Sequence, residues 1–392
     1  MRMTRRNLVG GVAASALTAP RSKFAIRPDY LAEPDVIPPF WISSFDDVGR
    51  FLGERIRKGR VQVFGKTAGG RPMRAVFYGE PRKGNGTTTF SGSLGFGDVR
   101  AYIGPDHGRK VYLGLASVHG GEFEGIVGAV NLLSVLETGK DLRGREWPEI
   151  VDAAKGLDRV IVIPITNADG RARIPLRMIR HQGKSELAHE YFNTGAKPDG
   201  NIIGWPQCKE HIPLDFSTTQ FPGGYPNDAG VNIQHDDFFR TPQPETRALL
   251  DLTARERPDL TVNMHTGAVF MHPLRSFIEP ALTPAFEDFY RRAMTRLTLA
   301  GLQRTSDPAK EADPARERMS VYNLDTAINL NCGALSVLVE SPAHDFSTAV
   351  RDGKPFLHTP DLLLDAQLTM HQEAMKFLAE TGGRARWTAK RK

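Results

Sequence analysis

Four polar residues of the sequence could together perform metal-assisted hydrolysis. His119 and Glu122 stand three residues apart, separated by two glycines, so that an imidazole and a carboxylate could share one metal ion. His265 offers a third ligand, and a catalytic metal needs three protein ligands and an open position. Glu340 offers a carboxylate that could act as general base. The pattern predicts a hydrolytic metal site, although a histidine and a glutamate at a helix start could equally cap that helix.

The predicted elements bring these residues to one place. Four apolar runs, typical of buried strands, each end directly before a polar residue: 110–117 before His119, 159–165 before the turn that holds Asp169, 259–264 before His265, and 334–339 before Glu340. In open α/β sheets, ligand sites gather at the carboxyl edge of the strands. We therefore expect these side chains to lie close together at that edge.

Helical spacing of apolar residues separates the strands. It predicts helices over residues 45–58, 126–136, 245–256, 283–302 and 360–378. Residues 80–100 read as an exposed loop or hairpin, and residues 171–230 lack strong periodicity, which is typical of a functional loop region. The fold class predicted is α/β, a single domain with a central mixed, largely buried β-sheet flanked by helices.

Several segments resemble those of the M14 zinc carboxypeptidases, in family order from about residue 45 to residue 380. The matching segments are Gly65-Lys66-Thr67 with Gly69-Gly70-Arg71-Pro72, His119 to Glu122, Asn167-Ala168-Asp169-Gly170 (similar to the family's N-P-D-G turn), Gly230-Val231-Asn232 (the start of its G-V-D-L-N-R-N segment), Pro244-Glu245-Thr246-Arg247-Ala248-Leu249, His265 and Glu340. Each match alone is weak, but their shared order identifies a divergent member of this family.

The resemblance implies one zinc ion, Zn2+, bound by His119, Glu122 and His265. It implies that Glu340 takes a proton from the attacking water and passes it to the leaving amine. It also implies an arginine that stabilises the oxyanion, for which we choose Arg177, with Arg173 and Arg180 as rivals. Arg173 is also taken as a substrate-binding candidate.

Two further substrate-binding predictions concern Tyr322 and the carboxylate anchor. Tyr322 matches the family's mobile tyrosine, although a buried core tyrosine is an equal alternative. Gln234 and His235 occupy the positions where the family has the asparagine and arginine that bind the substrate's free carboxylate. A histidine is only partly charged at neutral pH, so this departure puts ordinary carboxypeptidase action in question.

Three explanations of that departure stay open. Another arginine, such as Arg240 or Arg275, could supply the anchor. Alternatively, the substrate lacks a free carboxylate beside the scissile bond, or Gln234 and His235 bind a different polar group. The Glu340-Ser341-Pro342 sequence also resembles the acylase relatives, aspartoacylase and succinylglutamate desuccinylase, which gives an amidase or deacylase as runner-up. A non-catalytic zinc-binding relative is the third reading.

The charge of the chain lies at its ends. The net charge is +6, yet residues 1–20 and 384–392 hold eight basic and no acidic residues, which leaves 43 basic and 45 acidic residues in the body. A near-neutral body lacks the field that binds nucleic acid, and no apolar run is long enough to cross a membrane. We therefore expect a peptide or amide small molecule as substrate.

The termini predict the cellular location. Residues 1–20 resemble a twin-arginine export signal, with Arg5-Arg6 before a mildly apolar stretch and a small-residue cleavage site at Ala14-Ser15-Ala16, although a disordered basic tail is an alternative. We expect a periplasmic or extracellular protein, a catalytic domain over residues 40–381 and a basic tail over residues 382–392. Cys208 and Cys332 could pair after export, or remain free.

Overall fold

The computed structural model describes residues 24–180, 186–313, 322–344 and 349–388, and only the backbone of Phe96 and Glu186. Its centre is a mixed sheet of seven strands, which confirms the predicted α/β class. The strands are β1 (Arg60–Lys66), β2 (Pro72–Gly79), β3 (Val111–Ala116), β4 (Arg159–Ile163), β5 (Leu260–Thr266), β6 (His272–Leu274) and β7 (Leu335–Ser341). A two-stranded ribbon, β8 (Val350–Arg351) and β9 (Lys354–Pro355), lies apart from it.

The order of strands in the sheet is β1-β2-β4-β3-β5-β7-β6. The four central strands β4, β3, β5 and β7 run parallel, while β1, β2 and β6 are antiparallel to their neighbours. Every residue of β3, β4 and β5 is buried, because helices cover both faces. This explains why these strands read as continuous apolar runs. The parallel arrangement places the carboxyl ends of all four at one edge.

Helices surround the sheet. They are α1 (Phe45–Arg55), α2 (Phe90–Phe96), α3 (Arg100–Ile103), α4 (Phe123–Thr138), α5 (Pro148–Lys155), α6 (Ala168–Arg173), α7 (Glu186–Thr194), α8 (Pro244–Glu256), α9 (Thr283–Leu299), α10 (Pro308–Glu311), α11 (Leu324–Cys332), α12 (Pro360–Thr381) and α13 (Arg384–Trp387). Helices α4, α5, α9 and α12 form one layer, and α8 and α11 pack on the opposite face. Because strand side chains alternate, Tyr112 and Val262 join the first core and Leu113 joins the second.

Some elements differ from the sequence-based prediction. Residues 80–100, expected as a loop, contain α2 and the start of α3; Phe90, Val99 and Ile103 form a small core of their own there, and this packing outweighs the poor helix propensity of glycine and serine. Helices α5 and α11 were not predicted, and residues 171–230 include α7. The predicted export signal lies outside the described residues.

The predicted basic tail is partly folded. Residues 384–387 form α13, and the buried guanidinium of Arg384 donates hydrogen bonds to the carbonyl oxygens of Cys332 and Arg257. This arginine therefore serves the core rather than a solvated tail. Cys208 and Cys332 are both free thiols. Among the described helices, none combines the length and the apolar character needed to span a bilayer.

Candidate metal centre

The His119–Glu122 turn connects β3 to α4. Glu122 is the N-cap residue that precedes α4, yet its carboxylate makes no capping hydrogen bond to that helix. Instead, the carboxylate points towards His119, whose Nδ1 lies 2.8 Å from Glu122 Oε1. The alternative that the Glu122 side chain caps α4 is therefore wrong. Both side chains are almost completely buried.

His265, the next-to-last residue of β5, lies at the same edge of the sheet and completes a cluster of three potential ligands. Its Nδ1 lies 3.2 Å from Glu122 Oε2 and 3.3 Å from His119 Nδ1. A tetrahedral metal with ligand distances of about 2.0–2.2 Å separates its ligand atoms by roughly 3.3–3.6 Å, and the two spacings of His265 Nδ1, 3.2 Å and 3.3 Å, are close to this range. Within the described part of the chain, these three residues form the group whose donor atoms can hold a metal ion.

Neighbouring amides orient the potential ligands. His119 Nε2 donates to Asn232 Oδ1 at 3.1 Å, which leaves the Nδ1 lone pair for a metal. Asn193 Nδ2 donates to Glu122 Oε1 at 3.1 Å, and the backbone N–H of Thr266 donates to Glu122 Oε2. Sequence reasoning assigned no role to Asn193 or Asn232, because their function depends on long-range contacts.

The electrostatics of the cluster keep the carboxylate of Glu122 ionised. Burial works against ionisation of Glu122, but the two imidazoles hold its pKa well below the usual range. Burial lowers the pKa of His119. For His265, burial also opposes charge, yet the carboxylates of Glu122 and Glu340 raise its pKa to about 9. A buried anion beside two imidazoles is the environment that a divalent cation neutralises.

Glu340 lies beside His265, because the two residues are paired across the parallel strands β5 and β7. A Cβ at Gly267 would come within 3.3 Å of Glu340 Oε2, so the glycine leaves space around the carboxylate. Oε2 has no hydrogen-bond partner among the described residues. Burial raises the pKa of Glu340 to about 7, with Glu122 adding to the effect and His265 and Lys209 opposing it. A carboxylate with such a pKa can both accept and donate a proton near neutral pH.

The two residues at the family's anchor positions carry no charge towards the site. Gln234 is buried, and its amide donates to Asp325 Oδ2 at 3.2 Å. Asn263 Nδ2 donates to the same carboxylate oxygen, and Ser336 donates to the other. Burial, together with the charges of Lys209 and both cluster histidines, lowers the pKa of His235 to about 4. His235 is therefore neutral at pH 7.

Lys209 is a cation close enough to affect the site electrostatically. It belongs to a short 3-10 helix, Gln207–Glu210, in the long irregular region, and its charge lowers the pKa of both Glu340 and His235. Its Nζ lies 4.9 Å from the centroid of the Trp205 ring. Sequence reasoning missed this residue, since a single lysine in a loop carries no motif.

The structure uses the predicted arginines elsewhere. Arg177 is about half-exposed and forms an ion pair of 2.9 Å with Glu33. Arg173 is buried and donates to Asp228 and to three loop carbonyl groups. Arg180 is exposed. The structure does not bring Arg177 or Arg173 into the cluster of His119, Glu122 and His265, and the role of each in catalysis stays a prediction.

Tyr322 is a surface residue. It is 40% exposed, so the alternative of a buried core tyrosine is wrong. Its ring stacks on Phe239 with centroids 5.8 Å apart and contacts Phe238 edge-on. Phe238 and Phe239 follow His235 closely in the chain, which places Tyr322 on the same side as the anchor positions. Its contact with substrate stays a prediction.

The remaining motif segments hold the loops around the cluster. Asp169, fully buried, accepts hydrogen bonds from Thr67 Oγ1, the Gly69 N–H and Arg71. Glu245, near the start of α8, accepts from the Ala68 N–H and from Asn227. These segments therefore join the β1–β2 turn to the loops that carry Asn232.

Comparisons with known proteins agree with this geometry. A family model described as zinc carboxypeptidase matches residues 57–317, more than half of the chain. The fold is similar to that of a metallo-carboxypeptidase from Burkholderia cenocepacia, with a TM-score of 0.50, 16% identity and coverage of 86% of this chain and 69% of that one. It is also similar to a candidate carboxypeptidase A from Shewanella denitrificans, with a TM-score of 0.53, 15% identity and coverage of 88% and 71%. No curated protein matches the sequence significantly.

Proposed function

Because the chain belongs to the zinc carboxypeptidase family, we propose that it is a zinc-dependent hydrolase that cleaves a peptide or amide bond. The observation that carries the proposal is the convergence of the two imidazoles on one carboxylate, with Glu340 beside them. His119 Nδ1 lies 2.8 Å from Glu122 Oε1, His265 Nδ1 lies 3.2 Å from Glu122 Oε2, and the two Nδ1 atoms lie 3.3 Å apart. Two imidazoles and one carboxylate are a donor set that suits zinc in hydrolytic sites.

The chain's own residues supply the proton transfers. When bound, zinc lowers the pKa of water and polarises a carbonyl group. Glu340 accepts the proton of the attacking water through the oxygen that has no other partner among the described residues, and then donates it to the leaving amine. Burial raises the pKa of this carboxyl group above its ordinary value and so brings it closer to the ambient pH, where a proton carrier works best. Asn232 keeps His119 in the tautomer that presents Nδ1.

The anchor positions favour a second substrate class. Gln234 is bound to Asp325, and His235 is neutral, so neither offers a cation to a free carboxylate. This favours the amidase or deacylase alternative, in which the scissile bond has no carboxylate beside it. Lys209 favours the exopeptidase, because its charge reaches Glu340 and His235. We propose the peptidase as the main function and the amidase as the alternative.

Export remains part of the proposal. The twin-arginine-like segment of residues 1–20 supports a periplasmic or extracellular location. N-terminal sequencing of the mature protein from the periplasm tests it, and an intact Met1 in a protein confined to the cytoplasm would argue against export.

Metal analysis and Glu340→Gln test the function together. We expect one zinc per chain in the wild type and in Glu340→Gln, and a loss of turnover of about 10²- to 10⁴-fold in the variant. Glu279→Gln is the control, since Glu279 is also partly buried but its carboxylate accepts the N–H of Ala281, in the turn before α9. The substrates are a dipeptide with a free carboxylate, its amide, and an N-acyl amine that lacks a carboxylate.

The outcomes separate the alternatives. Turnover of the free dipeptide alone supports the peptidase, and turnover of the amide or the N-acyl compound supports the amidase or deacylase. Stoichiometric zinc without turnover on any substrate would mean a binding protein. Equal activity of Glu340→Gln and the wild type would exclude Glu340 as the general base.

A further inference from the structure

The end of α7 and a following loop contact two of the three metal ligands directly. Asn193 Nδ2 donates to Glu122 Oε1 at 3.1 Å. The Tyr225 ring lies parallel to the His119 imidazole, with centroids 3.6 Å apart and an angle of 12° between the planes. We call Asn193, Gly224 and Tyr225 the ligand clamp. It belongs to the long region in which the sequence shows no strong periodicity.

The ligand clamp is one connected unit. The carbonyl oxygen of Asn193 accepts the N–H groups of both Gly224 and Tyr225 at 2.9 Å. The Gly224 carbonyl oxygen in turn accepts the N–H of Gly120 at 2.8 Å, in the turn that carries His119. Asn193 and Tyr225 therefore keep a fixed relation to each other and to the ligand turn, and a displacement of one is transmitted to the other.

Two glycines permit this close approach. A Cβ at Gly121 would lie 2.7 Å from Asn193 Oδ1 and 2.9 Å from Asn193 Cα. A Cβ at Gly224 would lie 2.4 Å from the backbone nitrogen of Gly121. Neither glycine has a positive φ, so backbone conformation does not require them. The Gly120-Gly121 pair in the ligand motif is thus partly explained by the presence of the clamp.

We propose that Asn193 and Tyr225 are positioning residues of the metal centre, Asn193 for the Glu122 carboxylate and Tyr225 for the His119 imidazole. The inference rests on the metal centre of the proposed function. The Asn193 amide fixes the rotation of the carboxylate, since it holds one oxygen while the Thr266 N–H holds the other. The Tyr225 ring covers one face of the imidazole and limits its rotation about the Cβ–Cγ bond. Both contacts restrict the rotation of a ligand side chain before the metal binds, so that metal binding costs less conformational entropy.

Zinc affinity of the purified full chain, measured by competition with a chromophoric chelator, tests the proposal without turnover. We expect Asn193→Leu, Asn193→Ala and Tyr225→Leu to bind zinc about 10- to 100-fold more weakly. Tyr225→Phe retains the stacked ring and should stay within about threefold of the wild type. Visible absorption of the cobalt-loaded forms should change in the first three variants, because the ligand geometry is altered.

Asn131→Leu is the matched control. Asn131 is also a fully buried asparagine that donates to backbone carbonyl groups, those of Phe40 and Val127, but it lies within α4 and contacts no metal ligand. This variant should lose thermal stability while its zinc affinity is unchanged. A loss of affinity as large as that of Asn193→Leu would show that general destabilisation is the cause, and would overturn the proposal.

The result also distinguishes the clamp from the proposed function. If the wild type binds zinc and hydrolyses amides but Asn193→Ala and Tyr225→Leu bind zinc normally, the clamp proposal alone is wrong. If the wild type binds zinc without hydrolysing any substrate and these variants bind it more weakly, the clamp stands and the hydrolase proposal fails.

Discussion

The buried His371 should make the stability of the protein depend on pH. His371 lies on α12, is 1% exposed, and its Nδ1 lies 2.7 Å from the hydroxyl of Tyr112 on β3. Burial lowers the pKa of His371 from 6.5 to about 4. Burial therefore keeps the imidazole neutral in the folded protein, where it is hydrogen-bonded to the Tyr112 hydroxyl.

The magnitude follows from the two pKa values. Below pH 6.5 the unfolded chain binds a proton on this histidine, while the folded protein does not until about pH 4. The unfolded state is therefore stabilised relative to the folded state as the pH falls. The contribution of His371 to the free energy of unfolding is fully present above pH 6.5, decreases by about 2 kcal/mol between pH 8 and pH 5, and decreases by about 3 kcal/mol in total when the pH is well below 4.

Guanidinium chloride unfolding at pH 8 and pH 5 measures the effect. In His371→Gln the amide oxygen can still accept from Tyr112 but cannot titrate, so we expect the variant to lose about 2 kcal/mol less than the wild type over this interval. Subtracting the two proteins cancels every other group that titrates. An equal loss in His371→Gln and the wild type would refute the reasoning.

Three further changes probe the site. Lys209→Met should raise KM about fivefold (about 1 kcal/mol) for a dipeptide with a free carboxylate but not for its amide. It should also shift the acid limb of the pH–rate profile to higher pH, because a positive charge no longer lowers the pKa of Glu340. Equal effects on the KM of both substrates would exclude binding of the carboxylate by Lys209. Gly121→Ala should lower the free energy of unfolding by about 1–3 kcal/mol, because the added Cβ overlaps Asn193. Gly53→Ala is the control and should not lower it, because the space around Gly53 is free. Calorimetry measures the stability of both variants. Asn232→Leu removes the acceptor of His119 Nε2 and should weaken zinc binding about 10- to 100-fold in a chelator titration, and unchanged affinity would show that the tautomer is fixed by other means.

The sequence predicted what depends on local pattern. The buried strands were visible because burial on both faces leaves a continuous apolar run, and β5 and β7 end close to where that run ends. The ligands His119, Glu122 and His265 followed from donor type and from family order, and the structure brings their atoms together. Both kinds of signal lie within short stretches of sequence.

What the sequence did not reveal depends on contacts between distant segments. Asn193 and Tyr225 carry no motif, because any asparagine or tyrosine looks the same until the fold brings it to a ligand. Arg177 follows the N-A-D-G turn as the family pattern requires, yet the structure pairs it with Glu33 from the N-terminal segment, a contact that no local pattern signals. Helix α11 escaped prediction because its polar residues, such as Asp325, are buried and bonded rather than exposed.

The pairing of His265 with Glu340 limits how this protein can change. The two side chains are neighbours because the hydrogen-bond ladder between β5 and β7 sets their residues opposite each other. Inserting one residue in β7 before Glu340 would turn Glu340 to the other side of the sheet and bring Val339 opposite His265, and deleting one would bring Ser341 there. Substitutions in the surrounding loops can alter the walls of the site, but the distance from Glu340 to His265 is inherited from the spacing of parallel strands. Selection, or a protein engineer, can therefore vary specificity without disturbing that distance, and cannot adjust the distance without rebuilding the sheet.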